Sequence, residues 1–139
     1  MKILEQPFCD EIFVYVKTLQ DIKNSPNNTT LIFEYCDSSL EVYNFCKINN
    51  IPYGVKVNNI KEMIFCTNLN AKYIFCDSLK KASFFQKIVD EYLIDTQIVL
   101  LIKDLENIEE IVKHRIDAIK IKEKKWENHQ LHLHKMKLF

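Results

Sequence analysis

The stretch KYIFCDSLKKASFFQKIVDEYLIDTQIVLLI, residues 72–102, decides the fold class. Lys72–Cys76 is a short apolar, aromatic run, the pattern of a strand covered on both faces. Asp77 and Ser78 follow, and either can cap a helix. Ser78–Leu93 then carries Ala82, Phe85, Ile88, Val89 and Tyr92 on one helical stripe. Gln97–Ile102 is a second apolar run. Strand, helix and strand in about 30 residues make a parallel crossover unit.

The same alternation continues in both directions. Thr29–Cys36, Ile51–Val57 and Asp117–Ile121 read as strands, and Ser38–Lys47, Asn58–Leu69 and Asp104–Arg115 as helices. Ser38 with Glu41 and Asn59 with Glu62 have capping-box spacing. Asn49-Asn50 and Asn70 fall where a left-handed residue ends a helix, and asparagine tolerates that conformation best after glycine. Strands recur about every 20 residues, as βα units require. The pattern predicts a single α/β domain with a five-stranded, mostly parallel sheet. The expected strand order is the flavodoxin-like 2-1-3-4-5, with helices on both faces. Residues 1–28 read as a helical extension, 29–122 as the βα core and 123–139 as a tail or final helix. Within the first segment, Pro7–Lys23 fits a helix; Ile12–Val16 alone also fits a strand.

Composition narrows the function classes. The 139 residues carry 19 basic and 19 acidic side chains, for a formal net charge of zero. That balance argues against a dedicated nucleic-acid surface or docking to anionic lipid. No apolar run approaches the ~20 residues that span a bilayer, and Met1–Asp10 lacks the apolar segment of a signal peptide. The expectation is a cytoplasmic chain, with no membrane and no nucleic acid among its partners. Cys9, Cys36, Cys46, Cys66 and Cys76 form no C-x-x-C pair and read as buried, reduced thiols. With Gly54 as its only glycine, the chain has no Gly-rich loop to close backbone amides around a phosphate. Gly54 itself marks a bulge or a close helix crossing.

In an open parallel sheet, ligands sit beyond the carboxyl ends of the strands. The candidates there are Asp37, Asp77, Lys103 and Lys122, two acids and two lysines that could hold a divalent cation or a phosphate. Asp37, Asp77 and Asp104 also suit helix caps. From Leu31 to Lys122 the chain resembles a degenerate receiver domain of two-component signalling. Asp77 matches the phosphoacceptor position, Asp37 an acid after the first strand, and Lys122 the lysine after the fifth. The chain departs from that family in three places: Asp37 has no adjacent second acid, Ile102-Lys103 stands where Thr or Ser is usual, and Glu123 follows Lys122. The resemblance implies the architecture and a regulatory or docking role.

His129, His132 and His134 could share a metal ion, but a solvated polar face is the plainer expectation. Lys56 and Lys120 lie inside strands, where a desolvated lysine can form a Schiff base; the plainer expectation is that both emerge at an edge or rim. No Ser sits in a nucleophile elbow. The sequence leads to a non-enzymatic regulatory or protein-interaction module that needs no cofactor and contacts a protein partner or a second copy of itself. Trp126, Leu131, Leu133, Leu138 and Phe139 are its expected interface, and sixteen Phe, Tyr and Trp residues supply apolar surface. The alternatives are a small-molecule or phosphate-handling enzyme at the strand ends and metal binding by the His-rich tail.

Overall fold

All five apolar runs become strands in the computed structural model, which describes residues 1–123. Two further strands precede them. The elements are β1 (Lys2–Ile3), β2 (Ile12–Tyr15), α1 (Leu19–Lys23), β3 (Thr29–Glu34), a 3₁₀ turn (Asp37–Ser39), α2 (Leu40–Ile48), β4 (Tyr53–Lys56), α3 (Ile60–Asn68), β5 (Tyr73–Cys76), α4 (Leu79–Glu91), β6 (Gln97–Ile102), α5 (Ile108–Val112) and β7 (Ala118–Ile121). Among the described residues the sheet has seven strands, all parallel, in the order β1-β7-β6-β5-β4-β3-β2.

That order corrects the expected five strands arranged 2-1-3-4-5. From β2 to β7 each strand pairs with the next in sequence. Crossovers of one hand that always advance the same way place every helix on the same face. The buried side chains show it. Ile22, Tyr43, Cys46, Met63, Cys66, Ala82, Phe85, Val89 and Ile111 of the helices all pack on Leu31, Phe33, Tyr53, Val55, Ile74, Ile98, Leu100 and Ile119. The alternate strand residues Ile32, Tyr73, Phe75, Val99, Leu101 and Ala118 form a second core that contains no helix residue. Helices therefore cover one face, not both. The sheet curls around the second core into a half-barrel. Phe13 of β2 touches Lys120 of β7, five strands away, with the ammonium 4.8 Å from the ring centroid.

The N-terminal segment replaces the missing helix layer and corrects the helix expected over Pro7–Lys23. β1 pairs with β7 at one edge, where the Leu4 amide donates to Ile119 O at 2.9 Å. The chain then crosses the inner face as a strap, Leu4–Glu11, and enters β2 at the opposite edge. Glu5 fixes one end of the strap by accepting from the Ile121 amide at 2.9 Å. Glu11 fixes the other end by accepting from the Thr30 and Tyr73 hydroxyls and from Lys72. The expected 1–28 helical extension is thus two strands, a strap and a five-residue helix.

Local signals explain the helix ends. Asn59 and Ser78 accept from the amides of Glu62 and Lys81 as N-caps of α3 and α4. Asn50 and Asn70 take positive φ, as their positions after α2 and α3 predict. Leu93 and Arg115 do the same work without the right chemistry, at φ 55° and 58°. A left-handed L-residue costs about 1–2 kcal/mol, and Leu93 is 87% exposed, so little packing opposes its removal. Leu93→Gly is expected to raise stability by ~0.5–1 kcal/mol, read as a higher urea midpoint with unchanged slope. A lower midpoint would contradict this account of the α4 terminus.

Gly54 sits at neither a bulge nor a helix crossing. It holds regular register between Ile32 and Tyr73 on the inner face. A Cβ there would overlap the Phe75 ring and come within 2.9 Å of Tyr73 Cβ. The lone glycine makes room for an aromatic ring. Other aromatic residues fill the cores: Phe33, Tyr43, Tyr53, Tyr73, Phe75 and Phe85 are buried, and Phe13, Tyr15, Tyr35 and Phe45 pack against them.

Candidate functional site

Strand alternation places Lys56 with Gly54, and Lys120 with Ala118, on the inner face. Both lysines are 4% exposed, which corrects the expectation that they emerge at an edge or rim. Each is matched by a carboxylate. Lys56 Nζ lies 3.6 Å from Asp77 Oδ2, and Lys122 Nζ lies 3.5 Å from the same oxygen. Lys120 Nζ lies 3.3 Å from Glu5 Oε1 and 3.9 Å from Glu123 Oε1, below the Phe13 ring. Glu34 stands beside Lys56 in the strand register. The carboxyl ends of β3, β4, β5 and β7 therefore gather alternating charges at one mouth of the half-barrel.

Asp77 is the centre of this group. Ser78 caps α4, so the Asp77 carboxylate is not held by that helix's amides and meets the two lysines instead. Partial burial alone would raise its pKa. The Lys56 and Lys122 charges, with hydrogen bonds from its own amide and Lys122, overcome burial and hold it below the usual carboxylate range. Asp77 is therefore ionised throughout the neutral range, as a proton acceptor must be. Exposure is graded: the side chains of Asp77, Lys122 and Lys56 are 45%, 23% and 5% exposed. Solvent reaches the acid first and Lys56 last.

Of the four rim candidates, Asp77 and Lys122 come together. Asp77 and Lys103 line a neighbouring recess of about 420 Å³ between the ends of β5 and β6 and α5. Asp37 lies exposed in the 3₁₀ turn, outside both groups. Asp104 accepts from the Glu106 amide and serves its own loop. Sequence reasoning missed Glu5 and Glu11, which only the strap's path brings to the sheet. The inner position of Lys56 and Lys120 was signalled by their parity with Gly54 and Ala118.

Cysteine chemistry finds little support. Cys46, Cys66 and Cys76 are buried as expected, and burial pushes their thiols up to about 11, 12 and 12. Cys36 is exposed and Cys9 half-buried, contrary to the expectation for all five. Among the described residues no three His, Cys, Asp or Glu side chains converge as metal ligands, and no helix is long and apolar enough to cross a membrane. The tail candidates His129, His132 and His134, and the interface candidates Trp126, Leu131, Leu133, Leu138 and Phe139, lie outside the described residues. The chain matches no protein-family model, and no curated protein sequence resembles it significantly.

Proposed function

We propose that the half-barrel is a small-molecule enzyme domain that handles a small anionic substrate at the mouth formed by Lys56, Asp77 and Lys122. Asp77 moves the proton, Lys122 meets the substrate's charge at the rim, and Lys56 contributes the charge beneath. The observation that carries this reading is the buried Lys56 ammonium, paired with an acid that a second lysine shares. Removing an ammonium from water costs several kcal/mol, and an apolar side chain of similar volume is often as stable in such a place. A buried charged pair at the ligand-binding end of a parallel sheet is therefore a functional-site signal.

Thermal unfolding tests it. Inorganic phosphate and pyruvate are the probes. A bound anion at about a hundred times its Kd adds about 2.7 kcal/mol of stability. At least one of the two is expected to raise Tm saturably. Lys122→Met should raise the half-saturating concentration by about tenfold or more, equivalent to ~1.4 kcal/mol. No response of the wild type to either probe overturns the reading.

A non-enzymatic protein-contact module is the second reading. It draws on Phe84 and Tyr92, 53% and 71% exposed beside an apolar groove that Ile60, Ile64 and Ile88 also line. That reading expects no thermal response to small anions, together with a dimer in light scattering.

A further inference from the structure

We infer that Lys56 is a Schiff-base nucleophile for small α-keto acids, an inference that rests on the reading of the mouth as a ligand site. Three observations single out Lys56 among the lysines of the inner face. It is buried, whereas Lys122 is partly open at the rim. It is less tied than Lys120, which Glu5, Glu123 and the Phe13 ring hold together. Its ammonium and that of Lys122 meet the same oxygen of Asp77. A lysine attacks a carbonyl only as the neutral amine, so a base must first take its proton. Asp77, at 3.6 Å, is the base within reach of the proton.

The substrate class follows from the neighbours. An α-keto acid sets its carbonyl carbon next to its carboxylate. Lys122 is placed to receive that carboxylate while Lys56 meets the carbonyl. Phe75, the register neighbour of Lys56 on β5, is fully buried, so the mouth ends at Lys56. A keto acid with a substituent of one or two carbons suits that small depth better than one with a long chain.

The step balances without an outside oxidant or reductant. Lys56 gives a proton to Asp77 and its lone pair forms the C–N bond. The carbonyl π pair moves to oxygen, which takes up the second proton that the nitrogen gives up. In the resulting carbinolamine the nitrogen lone pair expels the hydroxyl group. That group takes back the Asp77 proton and leaves as water. The products are a protonated imine on Lys56 and an ionised Asp77, with the same total charge as the reactants.

The experiment is reductive trapping. The full chain is incubated with pyruvate and cyanoborohydride, and the modified lysine is located by peptide mass spectrometry. The adduct is expected on Lys56, at least about tenfold above exposed Lys61, Lys80 or Lys103. Asp77→Asn should slow labelling by about a hundredfold, the smaller end of a general acid–base contribution. Lys56→Arg keeps the charge and should abolish the adduct, with circular dichroism confirming the fold. Labelling in proportion to exposure, or an unlabelled Lys56, overturns the inference. If pyruvate still raises Tm while Lys56 stays unlabelled, the Schiff base falls and the anion site stands. If pyruvate neither labels Lys56 nor shifts Tm, the Schiff base falls, and the anion site then rests on the response to phosphate.

Discussion

Gly54→Ala is expected to destabilise the protein by ~3 kcal/mol, an unusually large effect for one added methyl group. The cause is geometric. The new Cβ would overlap the Phe75 ring and press on Tyr73 Cβ at 2.9 Å. Neither neighbour has room to retreat, since Phe75 and Tyr73 are 0% and 2% exposed. The ring also cannot tilt freely, because Tyr73 packs against it with centroids 5.9 Å apart. Urea unfolding reads the loss directly. Gly54→Val should prevent folding altogether. The double variant Gly54→Ala with Phe75→Leu should recover part of the loss, because the two sites share one volume. A single-variant cost below about 1 kcal/mol would show that the inner core yields more easily than its packing implies.

Glu11→Ala should cost a similar amount, ~3 kcal/mol, for a different reason. Glu11 is the acceptor for the Thr30 and Tyr73 hydroxyls, and Lys72 lies 3.0 Å away. Truncation leaves two buried hydroxyls without that acceptor, each costing about 1–3 kcal/mol. It also releases the strap from β3 and β5 and uncovers the inner core. Acid should reveal the same contact. Burial alone would raise the Glu11 pKa, but the Thr30, Tyr73 and Lys72 hydrogen bonds and the Lys72 charge bring it below its ordinary value. A carboxylate lowered in the folded state stabilises above its unfolded pKa of about 4.3, and that contribution is lost as pH falls through the folded value. Wild-type stability should therefore drop as pH goes from 5 to 3. Glu11→Gln should show a shallower drop. An equal drop in the two proteins would remove Glu11 from the account.

The sequence conveyed the elements far better than their arrangement. Gln97–Ile102 is a strand with the predicted bounds, and Tyr73–Cys76 and Ala118–Ile121 each begin one residue late. These runs are apolar on both faces, so their signal survives any strand order. That same uniformity hides the order, because a continuous apolar run does not say which face a helix will cover. Ser78 and Asn59 declared their caps in advance. Lys2–Ile3 is too short to carry a period, and β2 competes with a helical pattern that begins at Pro7. Two of the three residues that form the charged mouth were legible: Asp77 and Lys122 follow strands directly. Lys56 required trusting the two-residue alternation over the cost of burying a charge. Glu5 lies 115 residues from Lys120, and no local pattern links them.

The pairing of β1 with β7 has a consequence for how the chain is made. From β2 onward each strand meets its neighbour soon after synthesis, so the sheet can grow in the order of translation. Lys2 and Ile3 cannot share in that growth, because their partners Ala118 and Ile119 are made only after all the other described strands. The first residues made at this edge are among the last to settle. Until then Ile32, Phe75 and Leu101 stay open to solvent on the ribosome, which makes the nascent form the sticky one and gives chaperones their interval to act.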